Sequence, residues 1–270
     1  MKLALVNGIK TEATEGVRGT CQGCGSEVIS KCGPIKINHW AHKGIRNCDP
    51  WWENETEWHR AWKNNFPIEW QETPMMDDCT NERHIADIRT GHGLVIEFQH
   101  SHIHSEERTS RENFYKNMVW VVDGRRLKRD FSRFQQSQKR FLYFKDARLK
   151  GYFLVDSPKE TFPVQWLDST VPVIFDFRGS PEESESITSH DNTLWCLLPK
   201  KADKYAVIMA ISSENFITTS QCQKELMATD ELIRFFSDLL KPRQRPMNRP
   251  TKNSLFEIRG GKLKRKQRFR

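Results

Sequence analysis

Four of the seven cysteines in this 270-residue chain fall between Cys21 and Cys48, with His39 and His42 among them. Nothing else in the sequence restricts the fold as much. Cys21-Gln-Gly-Cys24 has the spacing of a zinc knuckle, and Gly23 and Gly25 let backbone amides turn toward thiolates. Zinc takes four soft or borderline ligands in a tetrahedron, so a second pair has to follow. Cys32, His39, His42 and Cys48 are the candidates, and His39-Trp-Ala-His42 is spaced like a zinc-finger histidine pair. The expected set is Cys21, Cys24, His42 and Cys48, with His39 the main rival to His42. Four protein ligands leave no open position for water, so such a zinc ion would be structural. Cys79, Cys196 and Cys222 are scattered, and nothing in the chain argues for a disulfide-forming compartment.

No apolar run approaches the roughly 20 residues that a membrane helix needs. The N-terminal apolar stretch breaks at Asn7-Gly8, too early for a signal peptide, so the cytoplasm is the expected location. The formal net charge of +8 is unevenly spread. Residues 241–270 carry twelve Lys or Arg against one acid, Glu257, which leaves the preceding 240 residues mildly acidic. A basic tail on an acidic body favours contact with a polyanion, here nucleic acid. Pro242, Pro246 and Pro250 oppose a helix, so the tail is expected to be extended or disordered.

Along the chain, Asn7-Gly8 predicts a hairpin between strands near 2–6 and 9–13. Trp58, Trp62 and Phe66 recur every fourth residue and predict a helix over 55–66. His84–Thr90 and Leu94–His100 read as two strands around Gly91-His92-Gly93. A helix over 106–117 and a strand over 118–122 follow. The basic segment 125–150, with Phe131, Phe134, Phe141, Tyr143 and Phe144, reads as a helix and a strand whose aromatics enter the core. Strands are expected at 164–166, 171–177, 193–198 and 205–211, a loop at 179–186 and a closing helix at 225–240.

Chemistry concentrates on the second hairpin. Alternation along a strand puts Glu97, Gln99 and Ser101 on one face, with Ile96 and Phe98 on the other. The glycine turn brings Asp87 beside Glu97. Two carboxylates with a polar neighbour make a hard oxygen site for Mg²⁺ or Mn²⁺, the ions that activate water for phosphodiester cleavage. On the preceding helix Glu55, His59 and Lys63 follow one another at intervals of four, along one face.

An Asp followed ten residues later by Glu-x-Gln on a hairpin resembles the PD-(D/E)xK nuclease superfamily. Further motifs occur in order: Ala4-Leu5, Cys21-x2-Cys24, His39-Trp-Ala-His42, Cys48, Glu55-Thr56-x2-His59-x3-Lys63, Ala86-Asp87, Glu97-x-Gln99-x-Ser101, Arg111, Tyr115 and Val119-Trp120. Together they resemble the CoiA-like competence nuclease family over roughly residues 1–124. The resemblance implies metal ligation by Asp87 and Glu97, with Glu55 contributed by the helix. Gln99 stands where the catalytic Lys is usual and cannot act as a cation; Lys63 or Lys116 could supply that charge. Ser101, Arg111 and Tyr115 match the family and are expected to bind nucleic acid; Arg111 and Tyr115, an i, i+4 pair, could face the site or a nucleic-acid strand.

The expected fold is therefore α/β: a restriction-endonuclease-like mixed sheet flanked by helices, preceded by a small zinc module and followed by an α+β accessory region. The divisions are drawn at 1–50, 51–150, 151–240 and 241–270. The expected function is a metal-dependent nuclease acting on DNA, with catalytic Mg²⁺ or Mn²⁺ and structural Zn²⁺. The alternative is a catalytically inactive, nuclease-derived DNA-binding protein.

Overall fold

The computed structural model describes residues 1–44, 48–51, 55–77, 81–178 and 192–241, and the backbone of 256–259 and 262–265. Cys79, the loop expected at 179–186 and the three tail prolines lie outside the described residues.

Asn7 and Gly8 both have positive φ, 53° and 81°. A two-residue turn of that kind matches the twist of the strands it joins, and Asn-Gly adopts it readily. It links β1 (Leu3–Val6) to β2 (Ile9–Glu12), with Val6 opposite Ile9. β3 (Arg18–Thr20), β4 (Glu27–Lys31) and β5 (His39–His42) complete a five-stranded sheet in the order β2-β1-β3-β4-β5. Its small core holds Ala4, Cys21, Val28 and Trp40.

Helix α1 (Glu57–Lys63) starts at Thr56, whose side chain accepts the His59 N–H and so satisfies an orphan donor of the first turn. The four-residue spacing of its tryptophans buries Trp62 and brings Trp58 against the same core. The antiparallel strands β6 (Gln71–Met76), β7 (Arg83–Arg89) and β8 (Val95–Gln99) follow. Parallel pairing needs a crossover, and α2 (Ser105–Tyr115) provides it between β8 and β9 (Met118–Asp123).

The chain continues through α3 (Lys128–Gln138), β10 (Leu142–Tyr143), β11 (Tyr152–Val155), α4 (Pro158–Thr161) and β12 (Val173–Asp176). It closes with β13 (Thr193–Ala202), β14 (Tyr205–Ser212), α5 (Ser213–Cys222) and α6 (Thr229–Leu240). All nine strands from β6 to β14 form one mixed sheet, ordered β10-β11-β14-β13-β12-β9-β8-β7-β6. The three parallel strands β8, β9 and β12 are buried throughout apart from the half-buried Asp123, as expected for strands covered on both faces. One face packs Trp62, Phe216, Ile233 and Phe236 from α1, α5 and α6. The other packs Tyr115 and Phe134 from α2 and α3, with Phe162 and Trp166.

Three expectations change. The line drawn at residue 150 falls within one sheet, because β11 to β14 extend the strands that carry the second hairpin. Val164–Trp166 is a 3₁₀ turn rather than a strand: Pro163, at φ −60°, opens the turn, and Trp166 packs edge-on against Trp120 at 5.3 Å. The basic tail is not wholly irregular, since β15 (Phe256–Arg259) pairs antiparallel with β16 (Lys262–Arg265). The aromatics of 125–150 divide: Phe134 and Phe141 are buried, whereas Tyr143 is exposed. Among the described residues no helix is long and apolar enough to cross a membrane.

Candidate active site

Two clusters meet at one cleft of about 300 Å³, which His42 and Cys48 of the first and Glu55, Lys63, Glu72, Asp87 and Glu97 of the second line together. The first is soft. The Sγ atoms of Cys21, Cys24 and Cys48 and a ring nitrogen of His42 all lie within 4.8 Å of one another. Cys21 Sγ stands 3.5 Å from Cys48 Sγ, and Cys24 Sγ 3.3 Å from His42 Nε2. Zinc–thiolate bonds of about 2.3 Å set ligands roughly 3.8 Å apart in a tetrahedron, so this set fits one zinc ion. The knuckle closes because residue 23 is glycine; a Cβ there would stand 3.2 Å from Cys48 Sγ and 2.9 Å from the Ile85 side chain.

The thiols also behave as a crowded ligand set. Burial opposes ionisation of Cys24, but hydrogen bonds involving Ser26, His42 and Cys21 bring its thiol down to about 6. Burial and the neighbouring thiols Cys21 and Cys24 push Cys48 up. A divalent cation would reverse that mutual repulsion. His39 lies on the same strand as His42, but its Nδ1 is bonded to the Ile37 carbonyl at 2.9 Å and the residue stands outside the cluster.

The second cluster is hard. The β7–β8 ladder closes at Ile88–Ile96 and Arg89–Val95. At the next pair the two carboxylates take over as acceptors. Asp87 N–H donates to Glu97 Oε1, and Phe98 N–H donates to Asp87 Oδ2, each at 3.0 Å. The two acids thus meet where the sequence alternation puts them. Gln71 pairs with Ile88 and Thr73 with Ala86, so Glu72 falls opposite Asp87 and a third carboxylate extends the row.

Two cations of the chain hold these acids. Lys63 Nζ lies 2.9 Å from Asp87 Oδ1, 3.3 Å from Glu72 Oε1 and 3.5 Å from Glu55 Oε1. Arg111 Nη1 lies 3.1 Å from Glu97 Oε2, and Arg111 Nη2 bonds Glu107 and the Trp51 carbonyl. Burial disfavours a charged Lys63, yet Asp87, Glu72 and Glu55 hold its ammonium well above the usual lysine value. Glu97 goes the other way: burial and the adjacent Asp87 push it up to about 8, against the pull of Arg111. The cleft lining carries five carboxylates, Asp49, Glu55, Glu72, Asp87 and Glu97, against the two permanent cations Lys63 and Arg111. Glu55 Oε1 is buried and accepts no hydrogen bond. Excess carboxylate with an unsatisfied oxygen is the donor set that Mg²⁺ or Mn²⁺ requires, so the residues fit such an ion.

His59 lines the cleft with both ring nitrogens in contact, Nδ1 with Thr56 Oγ1 at 3.0 Å and Nε2 with the Phe98 carbonyl at 2.8 Å. It fastens α1 to β8 beside Glu97. On the far side of α1 the indole N–H groups of Trp58 and Trp62 donate to Asp176 Oδ2, at 3.2 and 2.9 Å. Both contacts fix Lys63.

Other expected site residues lie differently. Gln99 is buried but does not line the cleft; its amide N–H donates to Ser101 Oγ and the Ser101 carbonyl, and its Oε1 has no partner. Arg111 and Tyr115, expected to face the site or a nucleic-acid strand, are largely buried and line the cleft. Arg111 braces Glu97 and lies over the rings of Trp51 and Trp120. Tyr115 packs edge-on against Trp51 and Phe114. Lys116 caps α2 at φ 60° and lines a separate cleft with Leu94 and Asn117. Lys63 therefore supplies the local positive charge.

Sequence reasoning missed Glu72. Its backbone is left-handed at φ 46°, a conformation that costs a non-glycine residue roughly 1–2 kcal/mol. Both carboxylate oxygens are engaged, Oε1 by the Lys2 N–H and Oε2 by the Leu3 N–H, each at 2.7 Å. Projecting the register of the second hairpin one strand back would have placed Glu72 beside Asp87, but β6 itself carries no clear alternation. Asp49 was missed as well; it accepts the Ile85 N–H at 2.9 Å and pairs with His84, so it ties the segment after Cys48 to β7.

Two segments of the chain match protein-family models. Residues 9–50 match the N-terminal domain of competence protein CoiA, and residues 83–174 match the nuclease-like domain of competence protein CoiA. Together the two matches cover just under half of the chain and support a CoiA-like competence protein family. All four thiol and imidazole ligands lie in the first matched segment, and Asp87, Glu97 and Arg111 in the second. Glu55, His59, Lys63 and Glu72 fall between the two segments, so this CoiA-like chain completes its cleft with residues outside both matches. No curated protein and no solved structure matches the chain.

Proposed function

We propose that the protein is a metal-dependent nuclease that hydrolyses phosphodiester bonds in DNA, with Mg²⁺ or Mn²⁺ held by Asp87 and Glu97. The observation that carries this reading is the crosswise bonding of those two acids at the floor of a cleft that Lys63 enters from α1. Bound there, the ion would polarise a phosphoryl oxygen and lower the pKa of a water molecule. Glu55, with its unsatisfied oxygen, serves as a third acceptor for the ion or for that water's proton. Lys63 takes the electrostatic role that Gln99 cannot fill, holding negative charge that develops on the phosphate. Arg111 acts on Glu97, fixing its carboxylate, and His59 fixes the helix. In the first cluster zinc is structural. The basic tail adds sequence-independent affinity for phosphates that weakens as salt rises.

Purified protein is expected to cut DNA with Mg²⁺ or Mn²⁺, and Glu97→Ala to abolish cutting; activity unchanged in that variant rejects the site. One observation favours a second reading, a DNA-binding protein without cleavage: the Gln99 amide is turned onto Ser101 rather than into the cleft. DNA retention without cleavage under every divalent metal selects it. The proposed setting is cytoplasmic handling of DNA in uptake, recombination or defence.

A further inference from the structure

Glu72 touches both halves of the cleft. Its oxygens accept the backbone N–H groups of Lys2 and Leu3, at the start of the strand that founds the N-terminal sheet. The same Oε1 lies 3.3 Å from Lys63 Nζ. The N-terminal sheet in turn supplies Trp40, Ala41 and His42 to the cleft wall. Glu72 is buried, and Lys63 and those N–H groups hold its carboxyl below the ordinary value although burial opposes ionisation.

Lys63 is therefore shared. Asp87, at 2.9 Å, competes for its ammonium with Glu72, at 3.3 Å. An ammonium held between two carboxylates cannot close fully on either, and a carboxylate less closely engaged by an ammonium is freer to accept a cation. Because Glu72 is pinned by two backbone donors of the N-terminal sheet, it cannot follow the lysine toward Asp87. From this geometry we infer that Glu72 is a positioning residue: anchored on the N-terminal sheet, it restrains Lys63 from closing further on Asp87, so that a divalent ion can displace the ammonium from that carboxylate. This rests on the reading of Asp87 and Glu97 as metal ligands.

The test is Mn²⁺ binding by the zinc-loaded full chain, followed by electron paramagnetic resonance, in a cycle of Glu72→Gln, Lys63→Met and the double variant. Glu72→Gln is expected to weaken Mn²⁺ binding roughly fivefold or more, a coupling typical of groups in direct contact. Lys63→Met should tighten it, and the double variant should bind as Lys63→Met does. Glu72→Asp keeps the charge and should stay within about threefold of wild type, well above Glu72→Gln. Should Glu72→Gln fail to fold, the Glu72→Asp result and the direction of the Lys63→Met shift decide the matter. Equal weakening by Glu72→Gln in both backgrounds, or a Glu72→Asp protein as impaired as Glu72→Gln, overturns the inference. A wild type that shows this binding pattern and does not cut DNA sinks hydrolysis alone. One that cuts without the pattern sinks the positioning role alone, and one that binds no Mn²⁺ sinks both.

Discussion

The two clusters that meet at the cleft are assembled by opposite means. The thiol and imidazole set converges through turns: a glycine knuckle brings Cys21 and Cys24 together, β5 supplies His42, and Cys48 follows from a loop. Its thiols crowd one another. The carboxylate set is built on the edge of a sheet, and Lys63 and Arg111 are already seated among its acids. The first arrangement leaves a metal ion to neutralise the charge. The second keeps itself folded with its own cations, and an incoming ion has to compete with them. A structural site and an exchangeable one differ in just this respect.

The largest effect expected is on chemistry. Glu97→Ala removes one of the two hairpin carboxylates, and cleavage should fall by roughly a thousandfold or more. Zinc content, measured on the same preparation, should stay at that of wild type. Loss of zinc as well would mean that the clusters stand or fall together and would break the contrast. Cys21→Ser acts on the other side. Zinc binding in such a module is folding free energy, so loss of this buried ligand should lower the melting temperature by about 10 °C. A melting curve unchanged after zinc loss would show that the N-terminal sheet holds without its metal.

Protonation sharpens the comparison. Glu97 is pushed up to about 8 in the folded chain by burial and by Asp87. An unfolded glutamate loses its proton near 4.3. Between those values the folded state holds a proton that the unfolded state lacks, so the stability of the protein free of Mg²⁺ and Mn²⁺ should fall as pH rises from about 5 to 8. Glu97→Gln keeps the side-chain shape without the titration, and its stability should be flatter over that window. Denaturant melts at pH 5.5 and 7.5 read the difference; equal slopes in both proteins would remove Glu97 as the source.

How far the sequence could be read follows the same physics. The Asn7-Gly8 turn, the knuckle, the α1 tryptophans and the second hairpin were legible because each is local, its signal lying within a dozen residues. Asp87 and Glu97 share one two-residue period and one turn. Glu72 was hidden because its partners are Lys2, Leu3 and Lys63, none of them its neighbours in β6, and because its left-handed backbone departs from the strand pattern. Arg111 and Tyr115 were legible as one face of the helix turned to the site, but not the burial that covers them: an i, i+4 pair fixes a face, not what packs on it. The unity of the nine-stranded sheet was equally hidden, since β12 joins β9 across forty-nine residues of intervening chain, including α3, β10 and β11. α5 was missed because its β-branched Ile217, Thr218 and Thr219 have low helix propensity, and tertiary packing of Phe216 decides its form.

Ser101 carries the smallest expected effect. It shares a strand face with Glu97 in the sequence pattern and matches the family motif, so it has the look of a site residue. In the fold its hydroxyl accepts the Gln99 amide at 3.2 Å, and its own carbonyl accepts the same amide at 3.3 Å. Ser101→Ala would remove the first contact and leave the second, so Gln99 keeps a partner and the carboxylates keep theirs. A neutral hydrogen bond of this kind contributes about 1 kcal/mol at most to stability, and cleavage should change by less than about twofold, with Mn²⁺ affinity unaltered. A tenfold loss of cleavage at unchanged Mn²⁺ affinity would instead move Gln99 and Ser101 into the reacting centre. It would also reassign from Lys63 to Gln99 the phosphate contact that we propose for the lysine.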